Sequence, residues 1–525
     1  MNHAELQQKV EQRWPRRVHC RSDDGAALEL VCTCDALETL CGWLFLEQDF
    51  SFAGLVVEEG TDKWHLRYCF YGGGGTGWVY VLVSAPLSKP SFPSIVKFVH
   101  AADWHEREAE DLFGLAFEGH PRLGDFILHD DAWQESVEPM RRHFDPGAAM
   151  RQRKPDADWR PRRIVQEPGA FVMPIGPKFS GVTESVHFLL ETVGEDVIRS
   201  TPRLFYKWRA IEKLAEGKTV DEVLLLAERF AATTAFAHGL AFCLAVEIIW
   251  GESVPARARM LRVFLAELER LRQHAGAIQE ICESTALVVA NSHAGILEED
   301  LLRISGELTG HRYLFGLLAP GGLLCDLPNA ACRKAVEQSR RVLRDLNELE
   351  QRLRVSSSFL DRIEEVGYVA FKDAKAYGLA GPVARASGLV RDLRRAQPYS
   401  GYEQLDFDVP SEQEGDGYAR LRVLFAEARQ SFCIMERVAA NLKDGGVCVP
   451  TKSRPGAALG WVEAPRGGAF HWVRLGDNGR IIRYRIVTPS FANWHGFHLA
   501  VEDFAFQDFP IILSTFDLSV AENDR

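Results

Sequence analysis

Ala227–Gly251 reads AERFAATTAFAHGLAFCLAVEIIWG, and the reading of this stretch decides the fold. From Gly239 to Gly251 it is an almost unbroken apolar run, interrupted by Glu247. A second run, Tyr313–Leu324, is interrupted by Pro320. A bilayer span needs about 20 consecutive apolar residues. Both runs are too short and too interrupted for that, so no transmembrane segment is expected and any membrane association must come through partner subunits.

Outward from that stretch, the 525 residues predict two to four domains at roughly 100–200 residues each. The 46% hydrophobic and 26% charged residues are those of a globular protein. A net charge of -12 argues against a nucleic-acid partner, because a phosphate-binding surface needs a basic excess or patch. The N-terminal MNHAELQQKVEQRWPRR is polar from the start and does not read as a signal peptide. No two of the 11 cysteines have C-x-x-C spacing, and in a cytoplasmic chain they are expected to be buried, reduced thiols.

Residues 1–144 read as a small α+β domain. Ala26–Cys34, Trp64–Phe70 and Trp78–Ser84 are strand-like, with a hairpin expected through the glycine run Gly72–Gly75. Trp104–Leu123, WHEREAEDLFGLAFEGHPRL, closely resembles the signature of the 30 kDa subunit of respiratory complex I, through Trp104, Glu106, Arg107, Glu108, Asp111, Phe113, Gly114, Phe117, Gly119, His120, Pro121 and Leu123. Carboxylates beside an arginine more often form a structural ion-pair network than an acid-base site. The resemblance agrees, since it implies a docking domain without a cofactor. Residues 145–168, charged and proline-rich, read as a linker.

Residues 169–525 resemble the complex I 49 kDa subunit and the large subunit of membrane-bound, energy-converting [NiFe] hydrogenases. The resemblance therefore implies a fused 30 kDa/49 kDa-type chain: the α+β domain followed by a mainly α-helical, hydrogenase-large-subunit-like domain with small β elements. Ala227–His238 matches the hydrogenase segment AERVCGICGFAH at Ala227, Glu228, Arg229, Phe236, Ala237 and His238, while Ala231 and Thr234 stand at the two metal-binding cysteines. The C-terminal pattern S-x-D-P-C-x-S-C-x-x-R falls on Thr515–Arg525 and places Ser519 and Glu522 at the other two. The complex I loop G-P-Q-H-P-x-x-H falls on Gly176–Thr183, with Phe179 at its quinone-chamber histidine. The quinone-binding tyrosine falls at Ala232.

Ala258–Ala275 has helical spacing of Leu261, Leu265, Leu268 and Leu271, with Glu267, Arg270 and His274 on another face. That polar row reads as a solvated face on spacing alone. The resemblance, through E-L-E-R-x-x-x-H, places it in a helical core, where its charges must be paired. Pro320–Gly322 is expected to make a sharp turn between helices. Gly378–Tyr402 and the EAPRGG loop at Glu463–Gly468 continue the match, placing Arg385 and Arg466 near the old metal pocket.

Soft metals need thiolates, and all four are replaced. The chain is thus expected not to be an active hydrogenase and to bind no metal or other cofactor itself. What the resemblance implies instead is a subunit of a membrane-bound oxidoreductase complex, peripheral at the cytoplasmic face of the cell membrane. Its expected partners are an iron-sulfur electron-transfer subunit, which carries the cluster, and membrane-embedded antiporter-like subunits. Quinone is the candidate ligand, with Arg229, Glu228, His238, Arg385 and Arg466 as polar candidates for chemistry. Two alternatives remain: a structural or coupling subunit whose cavity is filled by Phe179, Phe230 and Phe236, and a hard-metal site at His238, Asp517 and Glu522.

Overall fold

The computed structural model describes residues 2–23, 27–73, 77–133, 137–152, 156–160, 164–166, 168–178 and 184–525. The first module is a five-stranded sheet of β1 (Val18–Asp23), β2 (Ala27–Cys32), β3 (Ser51–Glu59), β4 (Lys63–Tyr71) and β5 (Trp78–Pro86), in the order β1-β2-β5-β4-β3. Along β4 the alternate residues Trp64, Leu66, Tyr68 and Phe70 are fully buried, the period-2 pattern of a strand with one face on a core. β4 and β5 pair antiparallel up to Tyr71 opposite Trp78, so the strands expected to flank the glycine turn do so.

Helix α1 (Asp103–Phe113) carries the WHEREAEDLF signature and stops at Gly114, whose φ of 70° makes it a left-handed C-cap. Its charges are structural. Glu106 accepts hydrogen bonds from Ser94 Oγ (2.5 Å), the Ile95 N–H (3.0 Å) and Tyr68 OH (3.3 Å). Glu108 reaches across to Arg485 (2.5 Å) and Arg525 (3.1 Å) of the second module. The segment expected to be a plain linker contains a short helix, Pro146–Gln152, started by Asp145, whose side chain accepts from the Gly147 N–H, and anchored by buried Ala149.

The second module opens with β6 (Ala170–Ile175), β7 (His187–Val193) and β8 (Asp196–Arg203), which form a four-stranded sheet with the short strand Phe504–Ala505 at the edge of β8. It continues as helices α2 (Val220–Arg229), α3 (Ala235–Trp250), α4 (Ala256–Ser284), α5 (Val288–Thr309), α6 (Asn329–Arg354) and α7 (Gly417–Asn441). It closes with an antiparallel sheet of β9 (Gly456–Ala464), β10 (Gly467–Leu475) and β11 (Ile481–Val487), followed by α8 (Pro489–Val501). The architecture is an α+β first module and a mainly helical second one with small sheets.

Helix α3 is apolar on every face and mostly buried, with Ile248 exposed near its C-terminal end. It packs against α2, β9 and β10, and a side chain at Gly460 of β9 would collide with the Ala241 and Ala245 backbone. Counted from Ala232, the apolar stretch has 19 residues and is long enough by composition to cross a membrane, contrary to the shorter count from Gly239; 72% of it is buried inside the protein. Glu247, the interruption in the run, forms a two-point ion pair with buried Arg262 (2.6 and 3.0 Å). Pro320–Gly321 turns not between helices but between two short strands that pair Leu318 with Leu323. Gly322 meets the Val447 carbonyl too closely for any side chain.

The two modules share a core. One hydrophobic cluster joins Trp64, Leu112 and Phe113 of the first module to Phe188, Phe491 and Phe497 of the second.

Candidate functional site

Helix α2 ends at Arg229, a 3₁₀ turn spans Ala232–Thr234, and α3 begins at Ala235. The first turn of α3 is capped from α4: the Glu269 carboxylate accepts from the Phe236 (2.8 Å) and Ala237 (3.0 Å) N–H groups, where a helix start favours an anion. Burial nonetheless pushes the Glu269 pKa up to about 7.

Against this turn lies the chain end, and Glu522 is its centre. Its carboxylate, fully buried, accepts from Thr234 Oγ1 (2.9 Å) and from Ser490 Oγ (2.5 Å) at the start of α8. Arg466 stands 3.4 Å away and His238 Nε2 3.8 Å away. Burial alone would raise the Glu522 pKa, but His238 and Arg466 outweigh it and hold it at about 2. Ser519 Oγ accepts the Glu522 N–H (3.2 Å), and Ala231 is buried. The four positions assigned to thiolates thus meet in one place, bonded to one another or to their surroundings.

Behind Glu522 runs a buried chain of rings: His238 Nδ1 to His471 Nε2 (3.0 Å), then His471 Nδ1 to Tyr484 OH (2.7 Å). With a neutral His238 turning its Nε2–H toward Glu522, its Nδ1 accepts from His471 Nε2–H and His471 Nδ1 accepts from Tyr484; a charged His238 reverses both bonds. On the other side Arg466 binds Asp517 through its carbonyl (2.6 Å) and carboxylate (3.0 Å), and Asp517 accepts from Gln273 (3.0 Å). The Arg466 guanidinium therefore occupies the space a cation would need between Asp517 and Glu522. Among the described residues no group of three or more His, Cys, Asp or Glu side chains is set to hold a metal ion.

Of the expected site residues, His238, Arg466, Ala231, Thr234, Ser519 and Glu522 are brought together. Arg229 is not: it is half-exposed, paired with Glu228 and lying over Phe315. Glu228 is turned to the Gly316 N–H. Arg385 belongs to a separate buried network with Glu427 (2.6 Å) and Glu463 (2.8 Å). Ala232 is exposed, and Phe179 lies outside the described residues. Phe230 and Phe236 are buried, Phe230 against the His238 ring at 4.5 Å. Ser490, His471 and Tyr484 escaped the sequence reading. His471 lies on β10 beyond the Glu463–Gly468 loop motif, which does not mark it.

Comparison with known proteins gives the same family from both modules. The model for the respiratory-chain NADH dehydrogenase 30 Kd subunit matches residues 30–149, and that for the 49 Kd subunit matches 296–454 and 449–525. Formate hydrogenlyase subunit 5 of Escherichia coli is 32% identical over 455 residues, 85% of this chain and 79% of the relative. The chain belongs to the fused 30 kDa/49 kDa family of complex I and hydrogenase subunits. Hydrogenase-4 component G of Escherichia coli is 29% identical over 85% of this chain and 78% of its own length. The fused C/D component of the NADH-quinone oxidoreductase of Bdellovibrio bacteriovorus is 28% identical over 83% of each.

The Ni-Fe centre of the hydrogenase branch does not fit the residues here. A methyl group cannot ligate, hydroxyls are poor ligands for a soft centre, and the one anion, Glu522, already has protein donors on both oxygens. At Ala232 there is likewise no hydroxyl to hold a quinone.

Proposed function

We propose that this chain is a coupling subunit of a membrane-bound oxidoreductase complex related to complex I and energy-converting hydrogenases, with a protein ion pair where the hydrogenase branch holds metals. In this reading it sits peripherally at the cytoplasmic face of the membrane, between an iron-sulfur electron-transfer subunit and membrane-embedded, antiporter-like subunits. Electrons reach it only as the charge state of the neighbouring cluster, and its own residues transmit shape and charge rather than turn over a substrate.

The observation that carries the reading is Glu522. With Thr234 and Ser490 bonded to it, and Arg466 and His238 beside it, the locus is filled from within the chain. A quinone-reacting reading would need a hydrogen-bonding side chain at position 232, where alanine offers none, and the neighbouring hydroxyls of Thr233 and Thr234 are engaged by Arg466 and Glu522.

The test is elemental analysis of the purified complex together with hydrogen and quinone assays. Nickel far below one atom per chain and no hydrogen uptake are expected. Stoichiometric nickel would sink the reading, and quinone reduction that is lost on substitution at the Ala232 turn would replace it with the quinone alternative.

A further inference from the structure

A second buried charge cluster lies away from Glu522, along the inner face of α4. Glu267 pairs with Arg270 (3.3 Å) and Arg394 (2.9 Å), Arg394 with Asp392 (2.6 Å), and Asp392 faces Arg385 (3.8 Å). Arg385 in turn holds Glu427 (2.6 Å) and Glu463 (2.8 Å), and Glu427 meets His274 Nε2 (3.0 Å). Every member is buried. The network ties α4 to α7, β9 and the Gly381–Arg394 segment.

Its charges do not balance. Within it four carboxylates stand against three guanidiniums, one negative charge in excess, while nearby Lys375 and Arg391 share the single carboxylate of Asp49. An uncompensated charge inside a protein is expensive enough that a group usually takes or loses a proton instead.

Two groups could carry that proton. His274 is the poorer host, because its Nδ1 is buried without a partner. A charged imidazole would bury an unsatisfied N–H there, whereas a neutral one donates from Nε2 to Glu427 and leaves only a lone pair. Glu463 is the better host for two reasons. Burial and the nearby Asp392 push its pKa up, while the guanidiniums hold Glu267, Asp392 and Glu427 down against burial. It also lines a partly open cavity of about 60 Å³ at the seam between the two modules. A cavity of that size has room for a few waters, each needing roughly 10–15 Å³, and its wall includes Tyr71, His105, Lys375 and Arg391. Lys375 and Arg391 pair with the exposed Asp49, which puts the cavity's rim at the surface.

We propose that this network is a proton-binding site, in which Glu463 takes up one proton from the seam cavity and returns it there while the remaining acids and the guanidiniums stay charged. The groups facing Glu463 are Arg385 (to Oε1, 2.8 Å), the Leu393 N–H (to Oε2, 3.0 Å) and Asp392 from the Gly381–Arg394 segment, Arg270 from α4, Glu427 from α7 through Arg385, Lys375 on the cavity wall, and Tyr399, whose hydroxyl accepts the Glu463 N–H. Across the cavity stand Tyr71, His105 and Arg391. Because helix α4 runs on from this network to the Glu269 cap of α3, a proton gained or lost at Glu463 changes the charge held between the seam and the helices around the candidate site. The site depends on nothing that occupies the Glu522 locus, so nickel analysis and the following test can fail separately.

The test is infrared spectroscopy of the intact complex, following the C=O band of protonated carboxyl groups as pH is stepped upward from the ordinary carboxylate range. Glu106, Asp111, Glu269, Glu280 and Asp524, all pushed up to about 7, contribute bands of their own, so the quantity read is wild type minus variant. Glu463→Gln, which keeps the shape and the acceptor oxygen, is expected to remove one carboxyl band, and His274→Gln and Glu522→Gln to leave it. Glu463→Asp is expected to shift the band rather than abolish it, a second readout should the glutamine variant fail to assemble. A band unchanged by both Glu463 variants, or lost in His274→Gln, overturns the assignment.

Discussion

Glu522→Ala is the sharpest single perturbation. It removes the acceptor for Thr234 and Ser490, leaves Arg466 with Asp517 as its one remaining acid, and leaves the His238 N–H facing a void. Breaking a fully buried ion pair from one side costs about 3–5 kcal/mol. A separate route gives a similar size: a carboxyl ordinarily at 4.5 but held at about 2 in the fold contributes about 3 kcal/mol. Because the folded value is the lower one, that contribution is present above pH 4.5 and is lost as pH falls from there through about 2. The assay is denaturant unfolding at a series of pH values for wild type, Glu522→Ala and Glu522→Gln. At neutral pH the alanine variant should lose about 3–5 kcal/mol, and the glutamine variant, which keeps an acceptor, less. The gap between wild type and Glu522→Gln should close on acidification, which separates Glu522 from the other carboxylates. A gap that is absent at neutral pH, or that stays constant down to pH 2, would refute the ion-pair account.

Two further outcomes follow from the buried pairs. Arg262→Met should cost about 3–5 kcal/mol by stranding Glu247 inside α3, and adding Glu247→Leu should recover most of it; strictly additive losses in the double variant would mean that the two side chains do not interact. At the seam, Arg485 holds Glu108 (2.5 Å) of the first module and Glu212 (3.1 Å) of the second, so Arg485→Ala should weaken the joint. After limited proteolysis between residues 145 and 168, the wild-type halves should stay together on size exclusion while those of the variant separate.

The fold was legible where chemistry repeats at fixed spacing. The strand alternation at Trp64–Phe70 and the helical spacing at Leu261–Leu271 both correspond to elements of the structure, because a period of 2 or 3.6 reports which face is covered. The row Glu267, Arg270 and His274 shows the opposite case. Its spacing equally suits a solvated face, and only partners distant in sequence, Arg394, Ala464 and Glu427, decide that it is buried. The candidate site divides in the same way. The four ligand positions were visible as gaps in a motif, but Ser490 and the His471–Tyr484 pair act through contacts that no local pattern announces. Arg229 misleads because it is next to the site in sequence while its side chain leaves the helix on the outer face.

Electrostatics also explains which residues stand at the four positions. Thiolates at a buried metal centre are balanced by the cations they bind; without those cations, four negative charges in one small volume would repel one another without compensation. Ala231, Thr234 and Ser519 are neutral, which removes that repulsion. A fully neutral set would fail too, since Arg466 would then rely on Asp517 alone and the N–H of His238 would face no acceptor. A single carboxylate at Glu522 meets both needs, and its two oxygens also take the hydroxyls of Thr234 and Ser490. The distribution of charge at the locus is what a filled, metal-free core requires. On that account, restoring a lone cysteine at position 522 should not suffice to recruit nickel, because the guanidinium of Arg466 still lies where the cation would sit.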